Sequence, residues 1–394
     1  MELEMLKRVD IKSIGINQIS FVLLLFVISI NSSYPSNLLI VIISVTTLAL
    51  SFLKSFSLSG FAKCLTLVAI IFLTLQWQFE NDGGSIYGLS IEGRYHWILV
   101  LSPLLLACFF LNRAYILSGL RFLIILHVSL FYIQFVFSMI GINLDYLELL
   151  NIRESRNEVY LNFGSTFLNM RSSGLFHEPG TYASAIGTLV TTVICIDRKF
   201  LSERIVIAFA ITGFLSFSSF GIIAGFLCVF AYYYNDVRSF MTLKALVVLV
   251  FLICLMATYF YYRFTLNSLT SSGFGARFII LDQYLNSSLF DFLFGQNLEM
   301  RSISLNDYEL YDFFIEDNGL LFYMLFLHGF VVTFLIVFVL NKVFSVPMHF
   351  FLVCAFLKIS LSFYFFSLCA IPALIVSLSG ERRLLKYNSL KSLR

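Results

Sequence analysis

The chain has 394 residues, of which 59% are hydrophobic and only 12% are charged, and its formal net charge is +3. The mean hydropathy is +0.90. A soluble domain of this length cannot bury so much apolar surface behind so few charges, so a soluble fold is excluded. The composition predicts an all-α polytopic integral membrane protein, and we expect no nucleic-acid partner.

Apolar runs that are long enough to cross a bilayer as helices recur along the chain. They lie near 14–32, 37–53, 61–76, 96–111, 122–141, 180–196, 205–217, 220–234, 243–261 and 317–341. A final stretch from about 349 to 379 is too long for one span, and the charge of Lys358 near its middle predicts a turn. Two short helices there give about twelve spans, with about eleven as the alternative. Residues 1–394 therefore form a single membrane domain.

The basic residues predict the orientation of these spans. When the helices alternate, most of the 26 lysines and arginines fall on the side of the N-terminus, while the acidic residues concentrate on the other side. Lysine and arginine are typical of cytoplasmic loops, so both termini are expected in the cytoplasm. An odd number of helices would move the basic C-terminal tail outside, so the charges favour the even number. The first apolar run lacks a cleavage pattern, and no cleavable signal peptide is expected.

Two large loops are predicted on the outer side, at 142–179 and 262–316. Their apolar pieces, such as LDYLELL and FIILDQYLNSSLFDFLF, have helix-like spacing and are expected to lie on the membrane or fold over the bundle. Apart from Lys358, the basic residues predicted outside are all arginines: Arg94, Arg153, Arg156, Arg171, Arg263, Arg277 and Arg301. Because arginine binds phosphate or carboxylate in two places, an anionic outer ligand is predicted. The alternative is selection against outer lysines together with surface Arg–Glu pairs.

The stretch RSSGLFHEPGTYAS, residues 171–184, predicts a loop followed by a membrane helix. The residue before a proline favours extended geometry, and proline suits the first position of a helix. The loop is therefore expected to end at Glu178 and the helix to begin at Pro179. A carboxylate, the fork of Arg171 and backbone N–H groups would then converge in a site suited to phosphate. The alternative is that Glu178 only caps the helix and Arg171 pairs with it.

This stretch resembles the R-x-x-G-x-F-x-E-P-x-x-x-A signature of bacterial Wzy-type O-antigen polymerases, within the O-antigen polymerase and ligase superfamily. The matching residues are Arg171, Gly174, Phe176, Glu178, Pro179 and Ala183. GARFIILDQYLNSSLFDFLFGQN is similar to the family's second outer-loop pattern, in which an arginine, here Arg277, precedes a hydrophobic segment ending at a glycine, here Gly295. Asp317, Asn318 and Gly319 fit the segment that follows. The predicted helices and two outer loops also match the family's GT-C-like architecture.

The resemblance implies a membrane glycosyltransferase of lipopolysaccharide biosynthesis in the bacterial inner membrane, with its active site at the periplasmic face. Both donor and acceptor would be oligosaccharides linked to undecaprenyl diphosphate. The acceptor hydroxyl would attack the anomeric carbon of the donor, and the lipid diphosphate would leave. Beside membrane lipid, the family implies a polysaccharide chain-length regulator as a partner. The product would be O-antigen or a related surface polysaccharide.

Such a site needs cations around the diphosphate, and the outer arginines could supply them without a metal. Arg171 and Arg277 are expected to bind the diphosphate, with Arg94 as a further candidate. The outer loops contain no Asp-x-Asp or histidine-rich constellation, so metal independence is expected and no cofactor is predicted.

The remaining site residues are carboxylates and the residues between Arg171 and Glu178. Glu178 is the first candidate for the base or for a group that positions the acceptor, and Asp317 is the second. Either of them can instead be a helix cap. His177 and Gly174 are assigned to the same sugar-diphosphate site.

Two other functions compete with polymerisation. The sister ligases rely on an outer-loop histidine near the span after the second large loop, and here that region reads YDFFIEDNGLL, without histidine. A flippase is expected to have short loops and cations inside the bundle, whereas these spans are almost free of charge and the arginines lie in outer loops. The polymerase therefore ranks first, a ligase-like transferase second and a flippase third.

Overall fold

The computed structural model describes residues 113–149, 171–176, 178–216, 218–239, 284–295, 319–342, 346–358, 370 and 373–374. Regular structure in these ranges is helical, and they contain no strand. Two of the described helical stretches, Ile116–Met139 and Pro179–Phe200, are long and apolar enough to cross a membrane. The predicted helical class is confirmed for this part of the chain. The spans predicted before residue 113 and at 243–261, together with the last one, lie largely or wholly outside the described residues.

The described ranges contain several α-helices. They are α1 (Arg113–Met139), α2 (Tyr146–Leu149), α3 (Pro179–Asp197), α4 (Glu203–Leu215), α5 (Ser219–Ser239), α6 (Leu289–Phe294), α7 (Leu320–Lys342) and α8 (Met348–Cys354). A turn of 3-10 helix, Arg198–Phe200, joins α3 to α4. Helices α1, α3, α4 and α5 coincide with the spans predicted near 122–141, 180–196, 205–217 and 220–234, although α1 begins earlier.

Helix α3 lies at the centre of the described bundle. It packs against α1, α4, α5 and α8, and most of its residues are buried. Its hydroxyl groups bond along the helix: Thr188 to the Ser184 carbonyl, Thr191 to the Gly187 carbonyl and Thr192 to the Thr188 carbonyl, each at 2.7 Å. Such hydrogen bonds to carbonyls of the preceding turn satisfy hydroxyl groups that are buried away from water.

Helices α1, α3, α4 and α5 alternate in direction. The C-terminal part of α1 contacts the segment that precedes α3, whereas Arg121 near its start lies over the Phe200 ring, 5.7 Å from the ring centroid. Arg198 lies over the Tyr232 ring at 4.8 Å, near the end of α5. These arginines therefore share the end of the bundle opposite Glu178, which agrees with the alternation predicted for these helices.

Helices α4 and α5 cross at glycines. A Cβ atom on Gly221 would lie 3.1 Å from the Cα atom of Gly213, and one on Gly225 would lie 3.0 Å from the Cα atom of Ala210. Small residues at such spacing let two membrane helices approach backbone to backbone. The close crossing holds the N-terminus of α5 beside the first turn of α3.

Helix α7 differs from the continuous span predicted at 317–341. It begins at Leu320 and bends at Gly329, where φ is 68°. The hydroxyl of Thr333 donates to the Met324 carbonyl at 2.9 Å, although a straight helix would hold these residues about 13 Å apart along its axis. Only glycine adopts this left-handed backbone readily, so Gly329 permits the bend. Helix α6, from the predicted second large loop, packs against α7 at this point.

The turn predicted at Lys358 is confirmed. Helix α8 ends at Cys354, and residues 355–358 form a turn. The N–H group of Leu320 donates to the Leu357 carbonyl at 3.2 Å, so the start of α7 rests on this turn. The turn also lies against α3, and it thereby connects the start of α7 with the start of α3.

Candidate functional site

One buried glutamine of α1 holds the first residues of the motif. The Oε1 atom of Gln134 accepts hydrogen bonds from the N–H groups of Ser173 at 2.7 Å and Gly174 at 2.8 Å. Its Nε2 atom donates to the Leu144 carbonyl at 2.9 Å. The hydroxyl of Ser173 donates to the Phe176 carbonyl at 2.6 Å and closes the turn. The segment 171–176 is therefore fixed to the end of α1 rather than hanging free.

Gly174 and Phe176 of the motif have structural roles. Gly174 has a φ of 59°, and a Cβ atom there would meet other atoms only at 3.7–3.8 Å, so the backbone angle rather than the space selects glycine. The turn directs Phe176 into the core, 5.1 Å from the ring of His127 and 5.9 Å from that of Tyr182. The Tyr182 hydroxyl meets that of Thr212 at 3.0 Å. The motif thus locks the chain against α1 and α4 just before α3 begins.

Glu178 occupies the predicted position at the start of α3. Its backbone is extended, with φ −150° and ψ 153°, and Pro179 is the first helical residue, so the predicted boundary is confirmed. Its side chain makes no capping hydrogen bond to the backbone of α3. Instead, its Oε1 atom accepts a hydrogen bond from the Thr181 hydroxyl at 3.0 Å and forms an ion pair with the Nζ atom of Lys358. Glu178 is thus an N-cap by position but not by its hydrogen bonds.

Lys358 belongs to this site, whereas the sequence indicated it only as the marker of a turn and as the one lysine among the outer basic residues. Its N–H group donates to the Ser184 hydroxyl at 2.8 Å, which fixes its backbone against α3. The Lys358 and Glu178 side chains are 19% and 21% exposed, so a ligand can reach the pair from outside the bundle. Charges in an apolar bundle are costly to desolvate and commonly mark a functional site. A lone charge in an apolar run was the sequence feature that indicated Lys358, but the sequence did not show that Glu178 is its partner.

The structure brings several of the predicted residues to one end of the bundle. Arg171, which is partly exposed, Gly174 and Glu178 lie on one segment, and Lys358 joins them. Gly319 directly precedes the Leu320 N–H group that bonds to the 355–358 turn, so Gly319 adjoins the same turn. The other predicted site residues lie outside the described residues: Arg94, His177, Arg277 and Asp317.

Three further polar residues near the motif were missed by sequence reasoning. His127 is fully buried beside Phe176, and neither of its ring nitrogens has a hydrogen-bond partner among the described residues. The hydroxyl of Ser172 is likewise buried and unpartnered there. Tyr146 of α2 donates to the Leu130 carbonyl at 3.1 Å, and burial raises the pKa of its phenol, which keeps the group a hydrogen-bond donor. In the described ranges, no group of three or more His, Cys, Asp or Glu side chains could hold a metal ion.

We compared the chain with protein-family models, curated proteins and solved structures. None of them matches. A functional assignment therefore depends on the motif and on the site that its residues build.

Replacing Gln134 with leucine is expected to release the motif from α1. The change leaves two buried N–H groups unsatisfied, each at a cost of about 1–3 kcal/mol. We expect a lower melting temperature of the purified membrane protein and faster proteolysis within 171–176. Ile133→Leu, on the exposed side of the same helix turn, is the matched control. Equal melting and proteolysis in the two variants would show that these hydrogen bonds do not hold the segment.

Proposed function

We propose that the chain is a membrane glycosyltransferase that polymerises repeat units linked to undecaprenyl diphosphate. The product would be O-antigen or a related surface polysaccharide, formed at the periplasmic face of the bacterial inner membrane. One observation carries the proposal: the carboxylate of Glu178, at the start of a buried helix, does not cap that helix but is paired with Lys358. Arg171 belongs to the segment just before it, which Gln134 fixes to α1. The resemblance of that segment to the polymerase signature supplies the reaction.

The proposed reaction needs a base and cations at one place. The acceptor hydroxyl oxygen forms a bond to the anomeric carbon of the donor, while the bond from that carbon to the diphosphate oxygen breaks. The leaving diphosphate keeps the electron pair, and Glu178 takes the hydroxyl proton. Glu178 suits this role because an ion pair with Lys358 is made by the ionised carboxylate, the form that accepts a proton. Arg171 would stabilise the negative charge that develops on the diphosphate.

The proposed topology extends the prediction made from the apolar runs and the basic residues. We infer about twelve crossings with both termini in the cytoplasm, and the end of the bundle that carries Glu178 facing the periplasm. Arg121 and Arg198 lie at the opposite end, which supports this direction because arginines and lysines concentrate on the cytoplasmic side. Arg94, Arg277 and Asp317 are proposed to complete the site from the outer loops.

Complementation tests the proposal. The full chain would be expressed in a polymerase-deleted host that assembles the cognate repeat unit, with lipopolysaccharide separated on a gel. We expect the ladder of chain lengths to return. If the chain gives no ladder in this host but restores the transfer of finished polymer in a ligase-deleted host, it would be assigned as a ligase-like transferase instead. If the chain restores neither activity, and the repeat unit stays on the inner leaflet unless the chain is expressed, the chain would be assigned as a flippase.

A further inference from the structure

Lys358 combines a fixed backbone with a side chain that can move. Its N–H group is bonded to the Ser184 hydroxyl at 2.8 Å, and its turn is bonded to the start of α7. The ammonium group is carried on a flexible four-carbon stem, and the Lys358 side chain is 19% exposed at the surface of the bundle. The pair with Glu178 can therefore open without any change in the fold.

The surroundings of the pair suit a phosphate oxygen. The Thr181 hydroxyl donates a hydrogen bond to the Glu178 carboxylate. The Ser218 hydroxyl is also near, because a Cβ atom built on Gly180 would lie 3.6 Å from it and 3.8 Å from the Glu178 Oε1 atom. Glu178 does not use the backbone N–H groups of the first turn of α3 for its side chain. Hydroxyl groups and a helix start thus lie beside a carboxylate that is paired with the Lys358 ammonium group. A dianionic diphosphate competes well against that carboxylate because charge-assisted hydrogen bonds strengthen with the charge of the acceptor.

We propose that Lys358 is a diphosphate-binding residue, and that its ammonium group exchanges Glu178 for a phosphate oxygen of a polyprenyl diphosphate when that lipid binds. This inference rests on the proposed function and adds a consequence to it. The carboxylate of Glu178 is paired with Lys358 until the diphosphate binds, and it loses that ion pair when the diphosphate arrives. The proposed base thus leaves its pair with Lys358 only where a donor is present. A lysine suits this exchange because it is a point charge on a mobile stem, whereas an arginine fork would hold the carboxylate in two places.

A binding experiment tests the exchange without requiring polymerisation. The full chain would be placed in phosphatidylcholine nanodiscs, and its dissociation constants would be measured for inorganic pyrophosphate and for undecaprenyl diphosphate. Discs containing phosphatidylglycerol would show whether a lipid headgroup phosphate competes for the same site. The variants are Lys358→Met, Lys358→Arg, Glu178→Gln and the double swap of Glu178→Lys with Lys358→Glu. Lys199→Met, an exposed lysine at the opposite end, is the control.

Lys358→Met and Glu178→Gln are expected to move binding in opposite directions. Lys358→Met should weaken pyrophosphate and lipid diphosphate binding about tenfold or more, because a charge-assisted bond is lost. Glu178→Gln should tighten both, since the competing carboxylate is gone. Lys358→Arg should bind more tightly than Lys358→Met but less tightly than the wild type, because its fork holds Glu178 in two places. The double swap should recover thermal stability but not affinity.

Other outcomes separate the inference from the proposed function. Unchanged affinity in Lys358→Met, weaker binding in Glu178→Gln, or full recovery by the double swap would overturn the inference and leave a structural ion pair. Failure of the wild type to bind either probe would overturn it as well. Lysine-dependent binding in a chain that restores no ladder would support Lys358 and reject the polymerase.

Discussion

Glu178→Gln is expected to abolish the proposed polymerisation while the protein remains folded in the membrane. Glutamine keeps the size of the side chain and can still accept the Thr181 hydrogen bond, but it can neither take a proton nor pair with Lys358. General base catalysis contributes about 10²–10⁴-fold to rate, so transfer between purified lipid-linked repeat units should fall at least about 100-fold. In cells, the ladder should shrink to a single repeat, with the amount of the variant in the membrane checked in parallel.

The chain offers a matched control for this change. Glu203 also stands at a helix start, but at the opposite end of the bundle, where its carboxylate accepts from the Tyr233 hydroxyl. Glu203→Gln is expected to give a full ladder. Glu178→Asp should give an intermediate rate, because the proton acceptor is kept but lies farther from the hydroxyl. A wild-type ladder from Glu178→Gln would show that the carboxylate is not the base and that the pair with Lys358 serves the fold.

The apolar runs and the rules for proline were sufficient to predict α3. Its start at Pro179 follows from the local chemistry of one peptide unit, and its length follows from the run of apolar residues. The turn at Lys358 was predicted for a similar reason, because a charge is expensive in the middle of a membrane helix. These features depend on a few neighbouring residues, and a sequence contains that information directly.

The partners of the site residues could not be predicted in this way. Lys358 and Glu178 are 180 positions apart, so their contact depends on how α3 and α8 pack and not on any local pattern. Gln134 looks like one polar residue in an apolar run, and only the folded loop shows that it binds the backbone of the motif. The bend in α7 was missed because a single glycine is common in membrane helices, and the packing of α6 decides its conformation.

Gly329→Ala is expected to have the largest effect on the fold. A Cβ atom there would overlap the backbone of Leu293 and Gly295, which cannot move aside as a flexible side chain could. The left-handed backbone costs an L-residue about 1–2 kcal/mol, and overpacking typically adds about 1–3 kcal/mol. Helix α6 should therefore leave α7. We expect this loss of contact to appear as faster hydrogen exchange of the amides in 289–294 and as a lower melting temperature of the full chain.

Gly141→Ala separates the cost of the left-handed backbone from the cost of the steric overlap. Gly141 also has a left-handed φ, of 80°, but a Cβ atom there meets no atom of the described chain within 4 Å. This control carries the backbone cost without the steric overlap, so the difference between the two variants reports the packing of α6 alone. Because Leu320 at the start of α7 is bonded to the turn that ends at Lys358, Gly329→Ala should also lower polymerisation, and Gly141→Ala should not. Equal melting temperatures and equal exchange in both variants would mean that α6 does not rest firmly on the bend, and that α7 holds the turn of Lys358 without help from the loop.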